Sequence, residues 1–309
     1  KEHTKDFESS LISEFTKEVL KEQRRNRRWG IFFKFIFIVY ISGFLLMYAY
    51  ENSSFVNLSN QKHTALIEIN GIISSETEAS ADFIITGLRK AFEDKNTQGI
   101  ILRINSPGGS PVQAGYVNDE IKRLKVKHPN TPIFAVISDI CTSGAYYIAV
   151  SADKIFANKA SIVGSIGVVM SGFGFVDAIK KLGIERRLLY SGERKTLMDP
   201  FTPIDFFDEA HMQEILDKIH QQFIAIVKDG RGDNLPDNEE LFSGLIWSGE
   251  ESVGLGLIDG LASSSEVARD IIGNEYIVNY TRRENYFDRF AKQVGVSIFH
   301  RLNTMYSTQ

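Results

Sequence analysis

The stretch Gly99-Ile100-Ile101-Leu102-Arg103-Ile104-Asn105-Ser106-Pro107-Gly108-Gly109 decides the fold class. Its first half is an Ile- and Leu-rich run, too short for a helix and bounded by turn formers, which predicts a buried strand. Its second half is a glycine turn where a strand hands over to a helix, the place at which α/β sheets hold their binding loops. Adjacent glycines accept positive φ and let backbone N–H groups approach a substrate closely. Such a turn can cradle an oxyanion, or it can be an ordinary connection. It is not a phosphate loop, because no Gly-Lys-Ser/Thr follows.

Working outward, Ala65 to Ile69 and Pro132 to Ser138 read as further buried strands, with helical periodicity over Ala79 to Glu93 and Val112 to Lys127. Strand and helix in alternation imply right-handed βαβ crossovers and a mainly parallel sheet. Lys154 to Ala157, Ile162 to Met170 and Arg187 to Tyr190 extend the strands, and Phe175 to Leu182 and Asp208 to Lys228 read as helices. Leu241 to Asn274 carries turns and short helices, and Tyr276 to Tyr280 reads as a last strand. No internal repeat is visible, so the unit occurs once. The expected organisation is an amphipathic tail at 1–28, a transmembrane helix at 29–50, a polar linker at 51–63, an α/β domain at 64–282 and an amphipathic extension at 283–309.

The run from Trp29 to Tyr50 is apolar except for Lys34, and about 20 helical residues cross a bilayer core. Lys34 lies close enough to the start to snorkel toward headgroups. Lys21, Arg24, Arg25, Arg27 and Arg28 precede the run and Glu51 follows it, so the positive-inside rule predicts a cytoplasmic amino terminus. All that follows residue 50 is then expected on the outer side of the cell's inner membrane. A cleavable signal peptide competes with this reading, but Met47-Tyr48-Ala49-Tyr50 offers no small-residue cleavage site.

A 309-residue chain with 43% hydrophobic residues can bury a sizeable core. A net charge of -4 gives no basic surface for a nucleic acid, and none is expected as partner. The single cysteine, Cys141, allows neither an internal disulfide nor a cysteine metal framework.

The second chemical element is Ser138-Asp139-Ile140-Cys141-Thr142-Ser143-Gly144-Ala145-Tyr146-Tyr147. Small residues at 143 to 145 after a buried strand place Ser143 at the start of a helix, where unpaired N–H groups favour developing negative charge. A helix cap is the commoner role for such a serine. As a nucleophile it needs a base. His63 and His128 precede it and His211, His220 and His300 follow, with His211 and His220 among polar helix neighbours that suggest a solvated face. A Ser-His-Asp triad stays open on these grounds. Lysine is the alternative, offered by Ser191-Gly192-Glu193-Arg194-Lys195-Thr196-Leu197-Met198-Asp199-Pro200. To serve as a base, the Lys195 amine must be uncharged, which burial beside Leu197, Met198 and Phe201 would favour and a close Asp199 would oppose.

Five motifs in order, namely Asn105 to Gly109, Thr142 to Tyr147, Ala152 to Ala157, Gly164-Ser165-Ile166-Gly167-Val168 and Ser191 to Pro200, resemble the signal peptide peptidase A family over about residues 64 to 262. The resemblance implies a ClpP/crotonase-like α/β fold and a membrane-bound Ser/Lys-dyad peptidase that needs no metal or cofactor. It implies Ser143 as nucleophile, Lys195 as general base, the N–H groups of Gly109 and Gly144 as oxyanion hole, and Ser165 as the residue orienting the lysine. It also implies a homo-oligomeric ring in which Ser143 meets the lysine of a neighbour, and substrates that are remnant signal peptides and other apolar peptides. The lysine loop departs from the family's usual pattern at Glu193, Arg194 and Asp199. Two other classes share the fold: a crotonase-like acyl-CoA enzyme, which needs no serine nucleophile, and a catalytically silent membrane scaffold.

Overall fold

The computed structural model describes residues 2–59 and 61–282, with side-chain surroundings for 16–46 and 61–282. The extension expected at 283–309 lies outside the described residues. The chain divides into two units, Lys1–Asn60 and Gln61–Gln309.

The first unit is one helix, α1 (Glu2–Ser59). Its stretch Thr16–Leu46 is long and apolar enough to cross a membrane, with mean hydropathy 2.0 and none of its most apolar window buried in the protein. Aromatic and aliphatic side chains from Trp29 to Leu46 point outward all round the helix, as a helix surrounded by lipid requires. The helix continues to Ser59 through the segment whose polar composition reads as a linker.

The second unit is an α/β sheet. Strands β1 (His63–Asn70), β2 (Thr97–Ser106) and β3 (Ile133–Thr142) run parallel and are joined by helices α2 (Ala81–Glu93) and α3 (Pro111–Lys127). After β3 come the short helix α4 (Gly144–Ala149) and strands β4 (Lys154–Ala157) and β5 (Ile162–Gly164). Then follow α5 (Val176–Lys181), α6 (Phe206–Arg231), β6 (Ile246–Ser248), α7 (Gly249–Gly254), β7 (Gly260–Leu261), α8 (Ser264–Glu266), a π-helical turn (Val267–Ile272) and β8 (Ile277–Asn279). The main strand order is β6-β5-β3-β2-β1-β8, with only β6 antiparallel.

Strand β3 is forked on its outer side: its first half pairs with β4 at Phe134 to Ile137, its second with β5 at Ile140 to Thr142. The fork carries β3 past its neighbours and delivers residue 143 at the carboxyl end of the sheet.

Both faces of the sheet are covered, as the continuous Ile/Val/Leu runs require. Ile67, Ile69, Ile100, Leu102, Ile104 and Ile137 pack under α2, α3 and α4, whereas Leu66, Ile101, Phe134, Val136 and Phe156 face Val267 and Ala268. Two expected strands differ. Ile162 to Met170 ends at Gly164, because Ser165 turns to φ 51 and cannot continue a strand. Arg187 to Tyr190 pairs with nothing among the described residues; Leu189 is 100% exposed there, so an apolar run without a sheet edge stays irregular.

Candidate active site

Ser143 stands between β3 and α4 with φ 53 and ψ -126. A non-glycine residue in this region carries strain of about 1–3 kcal/mol and persists only when its surroundings over-determine it. A sharp strand-to-helix turn of this kind lifts a serine Oγ off the end of a sheet. The Ser143 N–H donates to the Gly164 carbonyl at 2.9 Å, and its carbonyl accepts from the Tyr147 N–H at 3.0 Å. Its side chain makes no capping hydrogen bond, so the common helix-cap role is unfilled.

The glycine turn lies directly against this serine. A Cβ on Gly108 would fall 2.8 Å from the Ser143 Cβ and 2.7 Å from the Gly144 nitrogen, and one on Gly144 would fall 3.3 Å from the Gly109 nitrogen. Gly108 and Gly109 have φ 94 and 147, values that a side chain rarely permits. The turn is fixed from its other side by Ile73, whose N–H donates to the Gly108 carbonyl and whose carbonyl accepts from the Ser110 N–H, each at 2.8 Å. Neither the Gly109 nor the Gly144 N–H has a hydrogen-bond partner among the described residues. Two free amides beside a free hydroxyl form the donor set that a tetrahedral oxyanion needs.

Ser165 sits one residue beyond Gly164, the strand partner of Thr142, so Ser143 and Ser165 leave adjacent parallel strands side by side. Both have positive φ, 53 and 51. The Ser165 N–H donates to the Leu245 carbonyl at 2.7 Å.

No hydrogen bond joins the Lys195 side chain to this cluster among the described residues. Lys195 lies in the turns of 191–199, exposed, and its amine makes no hydrogen bond or ion pair among the described residues. The expected shelter from Leu197 and Met198 is incomplete, since both are only half-buried. The feared carboxylate is engaged elsewhere: Asp199 pairs with Arg186 and accepts from the Phe201 N–H at 3.2 Å. The Arg186 guanidinium and then the Phe201 N–H hold the Asp199 carboxyl below the usual range. Arg194 pairs with Asp205 and Asp208 and covers the Phe207 ring at 4.4 Å.

Around the lysine turns, Val169, Phe173, Leu182, Leu189, Ile204 and Phe206 all point away from the protein. Exposed large apolar side chains are a common property of interaction faces.

Among the described histidines none has a hydrogen bond to Ser143, although the buried His128 Nε2 has no hydrogen-bond partner among the described residues. His63 contacts the Gln61 carbonyl and the Tyr280 hydroxyl, His128 lies against Phe92, and His211 stacks on Phe207. His300 lies outside the described residues. His220 does not sit on a solvated face as its neighbours suggested: it is half-buried, and its Nε2–H donates to the Ile166 carbonyl at 3.1 Å. The signal was present in the sequence, because His220, Phe223, Val227 and Arg231 share one helical face. Three of those residues, Phe223, Val227 and Arg231, are the buried ones of α6.

Supports lie behind α4. The Asn118 amide, on α3, donates to the Tyr147 carbonyl at 2.9 Å, and the Tyr146 hydroxyl donates to the Leu257 carbonyl at 2.7 Å. Cys141 is wholly buried two residues before Ser143, and burial pushes its thiol well above the ordinary range.

The sequence is similar to known proteins. A model described as peptidase family S49 matches residues 125–272. A protein of Enterococcus faecium named as signal peptide peptidase SppA is 30% identical over 216 residues, covering 67% of this chain and 62% of that protein. A protein of Methanocaldococcus jannaschii named as a protease is 28% identical over 240 residues, covering 76% of each. A protein of Brucella abortus named as Na(+)/H(+) antiporter NhaA is 43% identical over 188 residues, covering 61% of this chain and 25% of that protein. The chain thus spans a quarter of the antiporter-named relative, and the name belongs to that whole protein. The mixed sheet with alternating helices is the ClpP-like architecture of family S49.

Proposed function

This chain is a member of peptidase family S49, with the family domain at residues 125–272, and on that premise we propose that it is a membrane-anchored serine endopeptidase using a Ser143/Lys195 dyad. The observation that carries the proposal is the pair of unpartnered N–H groups, on Gly109 and Gly144, beside the strained Ser143.

In the proposed reaction the Ser143 Oγ attacks the scissile carbonyl carbon while the Lys195 amine takes its proton. The carbonyl oxygen becomes an oxyanion between the Gly109 and Gly144 N–H groups. The C–N bond then breaks, the lysine proton passes to the leaving amine, and water, activated by the same lysine, releases the acyl group from Ser143. Ser165 orients the amine by accepting one of its hydrogens.

The lysine comes from a neighbouring copy in a homo-oligomeric ring. Two facts support this: Lys195 stands exposed and free of carboxylates in the single chain, and the segment around it turns its apolar side chains outward. Packing a second copy there would keep the amine dry and uncharged.

The α1 span holds the enzyme in the inner membrane with its amino terminus cytoplasmic and the peptidase domain outside. Substrates are apolar peptides left near the bilayer, remnant signal peptides among them. The test is peptide cleavage by the full chain in membranes against Ser143→Ala and Lys195→Ala. Each variant is expected to lose about 10³-fold or more; a Lys195→Ala enzyme of normal rate would return the base to a histidine.

A further inference from the structure

We infer that His220 is a positioning residue for the catalytic turn: its Nε2–H clamps the Ile166 carbonyl and so fixes both Ser165 and the strand end that holds Ser143. The inference rests on the peptidase reading above and adds a residue to it.

Beyond Gly164, the last residue of β5, the turn Ser165-Ile166-Gly167 has little freedom and no regular structure to maintain it. Gly164 has φ 110 and Ser165 φ 51, and a residue such as Ser165 relaxes out of that region unless neighbours forbid it. Three hydrogen bonds forbid it. The Gly164 carbonyl accepts from the Ser143 N–H at 2.9 Å, the Ser165 N–H donates to the Leu245 carbonyl at 2.7 Å, and the Ile166 carbonyl accepts from His220 at 3.1 Å. The His220 bond is the only one from a side chain to this turn among the described residues.

His220 also marks where α6 leaves the body of the enzyme. Below it, Phe223 packs on Tyr147 at 5.2 Å between ring centres, Gly230 lies so close to Val150 that a Cβ would fall 2.2 Å from its carbonyl oxygen, and Arg231 pairs with Asp259 at 2.8 Å. Above it, the first residues of α6 are exposed and receive the Arg194 pairs from the lysine turns. His220 therefore joins the helix that carries the lysine segment to the turn that carries Ser165. A carbonyl only accepts, so Nε2 bears a proton and that nitrogen is not available as a base for Ser143.

The experiment compares peptide cleavage by the full chain with wild-type His220, His220→Leu and His220→Gln, alongside Ser143→Ala. Gln places an amide N–H near the position of Nε2 and cannot act as a base; Leu keeps volume without a donor. Expected are a kcat lowered roughly 10- to 100-fold in His220→Leu, as misplacement by about 1 Å costs, a KM little changed, and recovery to within about threefold in His220→Gln. Equal kcat in all three, or a Gln variant as slow as Leu, overturns the inference while leaving the dyad standing. A Leu variant that fails to fold, beside a Gln variant that folds but stays slow, overturns it as well, since the bond would then serve stability alone. Cleavage that survives Ser143→Ala removes Ser143 as the nucleophile, and with it the dyad reading on which the inference rests.

Discussion

The serine region and the lysine region of this chain are built in opposite ways. Around Ser143 the backbone is pinned on all sides of the two unpartnered N–H groups: Gly109 against Ile73, Ser143 to Gly164, Ser165 to Leu245, and the helix behind held by Asn118 and Tyr146. Around Lys195 the ion pairs run from the segment to itself and to the start of α6, while Val169, Leu182, Leu189 and Phe206 stand exposed. The first region is held within one chain, and we propose that the second is completed by a neighbouring copy. Preorganised oxyanion donors gain from such rigidity, whereas a lysine base gains only when it is desolvated. One subunit can build the first condition alone; on our reading, the second arrives with assembly.

The sharpest way to break this contrast is to mix two inactive chains, Ser143→Ala and Lys195→Ala, under conditions that let copies exchange. If the dyad spans copies, activity returns from background to about a quarter of wild type, the statistical share of neighbour pairs that keep both groups. No recovery in a verified mixed assembly would confine the dyad to one chain.

A smaller effect separates the regions by stability. Gly109→Ala puts a Cβ 2.2 Å from the Ile73 carbonyl oxygen at φ 147 and is expected to cost about 3 kcal/mol or more in denaturant unfolding. Gly192→Ala, at φ 97 with nothing within 4 Å of the new Cβ, is expected to cost about 1 kcal/mol. Equal costs would mean that the serine region is no more tightly determined than the lysine turns.

The smallest effect concerns the scaffold under the serine. Glu120 on α3 receives Arg123 and Arg89, at 2.7 Å from each, and the Arg123 hydrogen bond above all holds its carboxyl down at about 2 against an ordinary 4.5. A depressed folded value means stability that is present above the ordinary value and lost as pH falls toward about 2. Glu120→Gln is expected to lower stability by about 1–2 kcal/mol at pH 7, the arginines being partly screened by water. The gap to wild type should close as thermal melts are taken toward pH 2; a constant gap would assign the loss to packing.

Much of this was legible in the residues. The alternation of apolar runs and helical periods fixed β1, β2, β3, α2 and α3 to within a few residues, because strands buried on both faces have only one way to be written. The glycine turn and the small residues at 143 to 145 marked the segments that the fold brings together. Other features depended on what covers a residue, which periodicity does not encode. The apolar letters of Arg187 to Tyr190 describe a strand equally well as an uncovered face. His220 was hidden by its sequence neighbours, which are solvated, whereas its partners at three, seven and eleven positions onward are buried. The early end of β5 turns on a single φ angle at Ser165, which serine gives no reason to expect.

The burial of Cys141 has a practical consequence. The chain's one thiol is sealed in β3 and kept protonated, so thiol reagents meet an almost silent background. A cysteine placed at an outward position such as Leu189 becomes the sole reactive handle. Oxidative cross-linking or a paired spin label at that site would then report subunit proximity directly, without first stripping the protein of native sulfur.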